Sequence, residues 1–251
     1  MIAGSRVLVT GAGSGIGRAL CEYLTARGAA VAGLDRNGAD LGRTIDELRS
    51  RGATTVGLEA DVASFDEVKA AIGVAAAAFE GLDAAVNVAG IGGYTGDVVE
   101  TPLEAWEQTV GVNLTGVFHV CRAVIPLLRA AGGGSIVNVS SQYGLVGCLA
   151  SPAYCASKAG VIGLTRCLAV DHAGDRIRAN CVCPGPIETP LLQASESQAD
   201  AAQREHERTH GRLLAGRPGT TTEVAEAIGY LLEAEFVNGA ILTLDGGWTA
   251  G

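Results

Sequence analysis

Two residues with acid–base potential stand one helical turn apart in the segment Y-C-A-S-K. Tyr154 and Lys158 have the i, i+4 spacing that places two side chains on one helix face. A cation beside a phenol favours the phenolate and lowers the tyrosine pKa from about 10, so the tyrosine becomes a usable general acid or base. Ser141 ends the apolar run S-I-V-N-V-S-S, and the carboxyl end of a parallel strand is where such sheets bind ligands. These three residues predict a site for proton exchange with a substrate oxygen.

A second segment with catalytic spacing is H-E-R-T-H at residues 206–210. The pattern H-E-x-x-H is typical of zinc proteases, in which the two histidines bind the metal and the glutamate is the general base. The flanking sequence is charged on every side, which indicates a solvated helix. Leu213 and Gly216 also stand where one protease class requires glycine and histidine. We therefore predict no metal site here and leave open a contact of His206 or His210 with substrate.

A glycine-rich segment, T-G-A-G-S-G-I-G at Thr10–Gly17, follows the first apolar run and opens a helical pattern. Glycines let a backbone approach a pyrophosphate, and a helix start offers free N–H groups and a positive dipole end. Tight turns from strand to helix also favour glycine, so the segment alone leaves both roles open. Asp35 ends the second apolar run, where a carboxylate accepts hydrogen bonds from a ribose 2′-hydroxyl and repels a 2′-phosphate. We expect NAD, with NADP kept open because the adjacent Arg36 has the charge to bind a phosphate.

These residues need a scaffold, and β-rich apolar runs alternate with helical patterns along the whole chain. Unbroken apolar strands between amphipathic helices predict a parallel sheet that is covered on both faces. The fold class is therefore α/β, a Rossmann-type doubly wound parallel seven-stranded sheet in a single domain, residues 1–251. The predicted strands are Arg6–Thr10, Ala30–Asp35, Thr54–Glu59, Ala84–Val88, Ser135–Ser140, Arg178–Val182 and Ala240–Leu244; the helices include Gly15–Arg27, Phe65–Phe79 and Pro152–Ala173.

Composition narrows the class of protein. With 251 residues, 48% of them hydrophobic, the chain has enough apolar surface for a large core. Its formal net charge of −9 disfavours a nucleic acid or an anionic membrane as partner. No apolar run has the length of a membrane span, and the amino terminus leads into a strand without a signal-peptide pattern. Seven cysteines without a C-x-x-C are typical of reduced thiols, and Cys181 and Cys183 lack further metal ligands, so we expect a cytoplasmic protein.

Eight motifs in order make the chain resemble the short-chain dehydrogenase/reductase family over essentially its full length. Two positions depart from the family pattern: Val88 replaces the second asparagine of N-N-A-G, and Asn238 stands where threonine is frequent. The matching motifs are the glycine-rich segment at Thr10–Gly17, Asp61-Val62, Asn87-x-Ala89-Gly90, Asn113, Ser141, Tyr154 with Lys158, C-P-G-P-I-E-T at Cys183–Thr189 and L-D-G-G at Leu244–Gly247.

The resemblance implies an oxidoreductase that transfers a hydride between NAD(H) and a secondary alcohol or ketone. Tyr154 would exchange a proton with the substrate oxygen, which Ser141 would hold in place. Lys158 would bind the nicotinamide ribose and lower the pKa of Tyr154. Asn113 would hold a water that connects Lys158 to solvent. The family also implies a homotetramer, with contacts through the helices around Asn113 and Tyr154 and through the last strand with Trp248.

The resemblance further assigns residues to the cofactor and to the substrate. Asp61 and Val62 would flank the adenine, and a substrate lid would span about residues 190–218. Thr189 also suits the N-cap of a helix in that lid. The implied cofactor residues are Gly11, Ser14, Gly15, Ile16, Gly17, Asp35, Arg36, Asp61, Val62, Asn87, Ala89, Gly90, Tyr154, Lys158, Pro184, Gly185, Ile187 and Thr189; the implied substrate residues are Ser141, Gln142, Leu149, Tyr154 and Pro186.

Two other functions remain open at this point. Because Arg36 has the charge to bind a 2′-phosphate, the chain is also compatible with an NADPH-dependent reductase. Its substrates would be 3-oxoacyl thioesters (on acyl carrier protein or CoA) or other carbonyl compounds. A non-catalytic NAD-binding sensor on the same fold is less consistent with the full set of acid–base residues. The predicted substrate pocket is mixed, since Gln142 and Ser151 suit polar groups and Leu145 and Leu149 suit apolar ones. A sugar alcohol, a cyclic diol, a hydroxyacyl ester and a small aliphatic alcohol are all compatible with it.

Overall fold

The computed structural model describes residues 2–198 and 213–250. Within them one sheet of seven parallel strands has the order β3-β2-β1-β4-β5-β6-β7. The α/β fold class is confirmed, and each predicted strand is present with ends shifted by at most two residues. The strands are β1 (Arg6–Thr10), β2 (Ala30–Asp35), β3 (Thr55–Glu59), β4 (Ala84–Asn87), β5 (Gly134–Val139), β6 (Ile177–Pro184) and β7 (Ile241–Leu244).

Helices cover the sheet on both faces, which explains why the central strands β1, β2 and β4 are largely apolar. Successive residues of β1 point to opposite sides: Leu8 joins one buried cluster, while Val7 and Val9 join the other. The first cluster is completed by α3, α5 and α6, the second by α1, α2 and α8. The helices are α1 (Gly15–Thr25), α2 (Gly38–Ser50), α3 (Phe65–Phe79), α4 (Leu103–Val110), α5 (Gly116–Ala130), α6 (Pro152–Asp171), α7 (Pro190–Gln198) and α8 (Thr221–Glu233).

The strand order reverses between β1 and β4. From β1 the chain proceeds outward to β2 and β3, and then returns to β4 on the other side of β1 before it continues to β7. Thr10 and Asn87, the last residues of β1 and β4, are paired in the parallel register. Such a reversal leaves a crevice at the carboxyl ends of the two central strands, where open α/β sheets bind their ligands.

The helices α4 and α5 run on as one helix through a π-helical turn at Gly111–Thr115. By length and composition alone the segment Leu103–Ala130 is long and apolar enough to cross a membrane. This corrects the expectation that no segment reaches that length. Val120, Val124 and Leu128 are fully buried in the core of the fold, so the apolar face of α5 is used in packing.

Candidate active site

The glycine-rich turn between β1 and α1 has a backbone and a packing that favour glycine. Gly11 and Gly15 have φ of 70° and 50°, a region that favours glycine. A Cβ at Gly17 would stand 1.9 Å from the carbonyl oxygen of Gly11. Within the described chain the side chain of Ser14 makes no capping hydrogen bond to α1. The N–H groups of the first turn therefore remain available for an anion, as the sequence predicts.

The turn borders a cleft of about 290 Å³ at the carboxyl edge of the sheet. Twelve predicted cofactor residues line it: Gly11, Ser14, Gly15, Ile16, Gly17, Asp35, Arg36, Asp61, Val62, Ala89, Gly90 and Thr189. The cleft also has walls that the sequence reasoning did not assign to the cofactor: Gly13, Leu34, Asn37, Asp40, Ala60, Val88, Ile91, Val112, Pro190 and Leu191. Most of the second set adjoin a predicted residue in sequence, and that adjacency was the available signal.

The carboxylate of Asp35 is held at the end of β2 by two backbone groups. Its two oxygens accept hydrogen bonds from the N–H of Gly13 and of Asn37, each at 2.9 Å. A Cβ at Gly13 would stand 3.0 Å from one of these oxygens, so glycine permits the contact. Asp40, in the first turn of α2, adds a second carboxylate to the cleft, and the exposed Arg36 adds a cation. This end of the cleft thus has mixed charge: Asp35 makes no ion pair among the described residues, whereas Asp40 is paired with the exposed Arg43.

Thr10 connects the ends of the two central strands. Its hydroxyl oxygen accepts hydrogen bonds from the N–H groups of Val88 and Ala89, at 3.0 and 3.1 Å. Thr10 is 1% exposed, so both hydrogen bonds are shielded from water. This contact fixes Val88, Ala89 and the following Gly90 along the cleft, although Val88 lacks the amide of the family pattern.

Asn87 lies in the core and is not among the residues that line the cleft, so its predicted contact with the cofactor stays a prediction. The residue is 2% exposed, and its amide donates to the side-chain oxygen of Asn138 at 2.8 Å. The amide of Asn138 in turn donates to the hydroxyl of Thr165 on α6 at 2.9 Å. The structure therefore gives Asn87 an architectural role, tying β4 to β5 and to the helix that carries Tyr154.

The segment after β6 contributes to the cleft mainly through its last residue. Pro184 ends β6 beside Leu244, and Gly185 donates its N–H to the carbonyl of Leu244 at 2.9 Å. Ile187 is buried at 6% exposure and bridges to residue 219. None of these three residues lines the cleft. Thr189 does line it, and its hydroxyl also accepts from the N–H of Leu192 at 3.3 Å, which makes it a cap of α7.

The predicted acid–base residues come together next to Gly90, although Ser141, Tyr154 and Lys158 are not among the residues that line the cleft. Ser141 follows β5, is 7% exposed, and is hydrogen-bonded through its side chain to Tyr154 of α6. The ammonium of Lys158, one turn further along α6, donates to the carbonyl of Val139 at 3.0 Å. It lies 5.7 Å from the centroid of the Tyr154 ring. The end of β5 and the first turns of α6 thus place a hydroxyl, a phenol and an amine in one site.

The protonation states differ from the expectation. Burial raises the pKa of Tyr154 to about 12, and the hydrogen bond from Ser141 opposes this only in part. Burial also lowers the pKa of Lys158 to about 8. The predicted lowering of the tyrosine pKa by Lys158 is therefore wrong for this structure. The reason is that the ammonium points to the carbonyl of Val139 and is itself destabilised by burial.

Asn113 lies in the π-helical turn and clamps the loop after β4. It accepts from the N–H of Ile91 at 2.8 Å and donates to the carbonyl of Ile91 at 2.9 Å. Its second amide hydrogen goes to the hydroxyl of Ser157 at 3.2 Å, and Ser157 donates to the carbonyl of Tyr154 at 2.8 Å. Both donors of the amide are thus used by protein groups. A Cβ at Gly90, which lines the cleft, would stand 3.2 Å from Asn113 Oδ1 and 3.4 Å from Lys158 Nζ, so these two side chains lie next to this part of the cleft lining.

The substrate side of the site is more apolar than the sequence suggested. Gln142, predicted to meet the substrate, is 1% exposed, and its side-chain oxygen has no hydrogen-bond partner among the described residues. The predicted Leu149 is 43% exposed, as are Tyr94 (44%) and Leu145 (42%). The carbonyl of Pro186 accepts a hydrogen bond from the N–H of residue 219 at 2.9 Å. The exposed side chains around this end are therefore hydrophobic or aromatic.

The described residues hold no group of three or more His, Cys, Asp or Glu side chains that could bind a metal ion. The H-E-R-T-H segment at residues 206–210 lies outside them. Cys181 and Cys183 are fully buried on β6.

Known proteins provide an independent comparison for this cleft. The family model described as enoyl-(acyl carrier protein) reductase matches residues 11–249. The chain is 39% identical to 2-(R)-hydroxypropyl-CoM dehydrogenase of Xanthobacter autotrophicus, over 98% of this chain and 99% of the relative. It is 42% identical to cis-4-hydroxycyclohexanecarboxylate dehydrogenase of Sinomonas cyclohexanicum, over 97% and 96%. The crystal structure of a 3-ketoacyl-(acyl-carrier-protein) reductase from Brucella melitensis complexed with NADH has a TM-score of 0.89 at 30% identity, covering 99% and 100%.

Proposed function

The chain belongs to the short-chain dehydrogenase/reductase family and acts on CH–OH groups as an oxidoreductase, and we propose that it uses NAD and the acid–base set around Tyr154. The main support for this proposal is how the structure arranges the end of β2, the glycine-rich turn and the acid–base residues. Asp35 is fixed at one end of the cleft by two N–H groups, and Ser141 meets Tyr154 in the acid–base site next to Gly90. Between them, the first turn of α1 and the glycine at position 90 leave the room that a dinucleotide needs.

The residues fit a dinucleotide of this kind. A nicotinamide cofactor, when bound, supplies the hydride acceptor or donor. The start of α1 would bind its pyrophosphate, and Asp35 a ribose hydroxyl pair. Ser141 would donate its hydroxyl hydrogen to the substrate oxygen and hold it beside the phenol of Tyr154. Lys158 would bind the nicotinamide ribose hydroxyls, and Asn113 would keep this part of the site in position through Ile91.

The raised pKa of Tyr154 sets the direction of easiest proton transfer. At neutral pH a phenol with a pKa of about 12 keeps its proton, so Tyr154 is ready to donate to a ketone oxygen during reduction. Oxidation of an alcohol requires the same oxygen to accept a proton. We therefore expect the rate of alcohol oxidation to rise with pH over the alkaline range, while ketone reduction does not.

The preference for NAD rests on the carboxylates at the adenosine end. A 2′-phosphate at the ribose would meet Asp35 directly and Asp40 nearby, and juxtaposed like charges cost several kcal/mol. Arg36 is exposed and reaches the cleft from the solvent side. Solvent and salt therefore screen the attraction between Arg36 and a 2′-phosphate more strongly than they screen the repulsion between that phosphate and the partly buried Asp35.

The first test is a fluorescence titration with NADH and separately with NADPH. The wild-type chain should bind NADH more tightly by about tenfold or more, and Asp35→Asn should narrow that ratio. Asp171→Asn, an exposed carboxylate at the end of α6, is the matched control and should leave the ratio unchanged. Equal or tighter binding of NADPH would show that Arg36 decides the preference. Binding of neither would contradict the proposal.

A second test concerns the acid–base set. Tyr154→Phe removes only the hydroxyl and should lower turnover by at least about 10²-fold, the lower end of what one acid–base group contributes. The Kd of NADH should stay within twofold of the wild-type value. Retained turnover would remove Tyr154 from the mechanism, and no turnover by the wild type on any alcohol or ketone would revive a sensor function.

A reductase of 3-oxoacyl thioesters is the second candidate. The likeness to the Brucella melitensis protein and the exposed Leu145 and Leu149, which suit an acyl chain, both favour it. It is separated from the first candidate by comparing reduction of a 3-oxoacyl-CoA with oxidation of cyclic and short aliphatic alcohols. The candidate with the larger kcat/KM is retained.

We also propose a single catalytic domain with a lid at about residues 190–218, a cytoplasmic location and a homotetramer. Support for the assembly comes from exposed apolar side chains on the long helices: Leu103 is 75% exposed, Phe118 45% and Val170 78%. Light scattering coupled to size-exclusion chromatography tests it, and a monomer at micromolar concentration would contradict it.

A further inference from the structure

We propose that α5 holds the adenine-binding wall of the cleft, with His119 and Gly116 as positioning residues for Val62. The inference rests on the proposed dinucleotide function and adds two residues that none of the cofactor motifs includes. Neither residue lines the cleft; both act through the peptide that does.

The position of the adenine follows from the order of the strands. The first turn of α1 receives the pyrophosphate, and Asp35, at the end of β2, receives the ribose. The next strand outward is β3, and the residues that follow its end are Ala60, Asp61 and Val62, all of which line the cleft. A base attached to the ribose at β2 therefore lies against this segment.

Val62 is held from behind by α5. The ring nitrogen Nδ1 of His119 lies 3.0 Å from the carbonyl oxygen of Val62. Since a carbonyl oxygen only accepts, Nδ1 carries the hydrogen and donates it. The ring centroids of Phe65 and His119 are 5.5 Å apart, so Phe65 limits the rotation of the His119 ring.

Gly116, almost one helical turn before His119, sets how far back Val62 can lie. A Cβ at Gly116 would stand 2.8 Å from Val62 Cγ2 and 3.0 Å from Val62 Cβ. Any side chain there would push Val62 toward the cleft. Gly116 thus admits the side chain of Val62, and His119 fixes its carbonyl, so one helix face determines the width of the adenine site.

The test compares His119→Leu with His119→Asn, whose side-chain N–H can stand where Nδ1 stands. Calorimetric titrations use NADH and ADP-ribose, which carries the adenosine and pyrophosphate but no nicotinamide. His119→Leu should raise the Kd of both by the same factor, about 2- to 12-fold for one hydrogen bond. His119→Asn should restore values near wild type, and kcat at saturating NAD should not change in either variant. Gly116→Ala should also raise the Kd of ADP-ribose, because the added methyl group narrows the adenine site.

Different failures are distinguishable. If the wild type binds ADP-ribose but His119→Leu binds it equally well, the positioning role is wrong while the proposed function stands. If His119→Asn is as weak as His119→Leu, the hydrogen bond is not the cause and the role is again wrong. If the wild type binds neither ligand, the proposed function fails and the inference with it. A lower melting temperature without a change in Kd shows a structural role alone.

Discussion

Replacing Asn113 by alanine removes three hydrogen bonds at a fully buried position: two to the backbone of Ile91 and one to the hydroxyl of Ser157. At about 0.5–1.5 kcal/mol for each bond, the free energy of unfolding should fall by about 1.5–4.5 kcal/mol. The loop at Ile91 and the carbonyl of Tyr154 behind Ser157 also lose their restraint. Since a displacement near 1 Å costs about 10²-fold in rate, kcat should fall by at least tenfold.

Asn180 offers a matched control within the same sheet. It too is fully buried, and its amide bridges two backbone groups, the carbonyl of Val237 and the N–H of Ala240. With two hydrogen bonds removed, the free energy of unfolding of Asn180→Ala should be lower than that of the wild type by about 1–3 kcal/mol. It lies on β6 away from the residues that line the cleft, so kcat should be unchanged. Urea denaturation followed by circular dichroism gives the stabilities, and NADH absorbance gives the rates.

Two results would refute the reasoning. An equal loss of kcat in Asn113→Ala and Asn180→Ala would mean that lost stability, and not the position of Ile91 and Tyr154, lowers activity. A loss of less than about 1 kcal/mol in Asn113→Ala would mean that water replaces the amide at Ile91, and that the clamp is not a source of stability.

Three further predictions concern other parts of the site. Gly17→Ala places a Cβ 1.9 Å from the carbonyl of Gly11 and should abolish NADH binding in a titration, whereas Gly73→Ala, with open space around it on α3, should not. Thr10→Val leaves the N–H groups of Val88 and Ala89 without their acceptor and should cost about 1–3 kcal/mol in urea denaturation; a neutral result would remove the link between β1 and β4. Burial lowers the pKa of Lys158 to about 8 from 10.5, so between these values the unfolded chain binds more protons and this group makes stability rise with pH. The stability of wild type relative to Lys158→Met should therefore increase from pH 8 to 10, and a flat difference would contradict the lowered pKa.

The sequence predicts the fold well because its signals are local. The central strands β1 and β2 are short, largely apolar runs between turn residues, because both faces of these strands are buried. The glycine-rich turn and the acid at the end of β2 are likewise local patterns. The cleft residues among them are therefore found with the correct positions.

Other features depend on contacts that no local pattern records. Asn87 carries the right residue type at a strand end, yet its side chain turns to Asn138 in the core. Gln142 follows Ser141 directly but is buried. The pKa of Tyr154 depends on how deeply α6 packs and on where the ammonium of Lys158 points, which the i, i+4 spacing alone does not fix. How deeply Asn87, Gln142 and Tyr154 are buried, and which side chains surround them, depends on tertiary packing and not on local sequence.

The reversal of strand order at Thr10 has a consequence for altering this protein by mutation. The residues proposed to select the cofactor are Asp35, the last residue of β2, and Asp40 in α2, whereas Ser141 and Leu149 lie beyond β5 on the opposite side of the reversal. Their side chains share no hydrogen-bond partner within the described residues. Substitutions at separated sites without shared partners have additive free energies. Cofactor preference and substrate preference can therefore be changed in separate libraries and then combined in one chain.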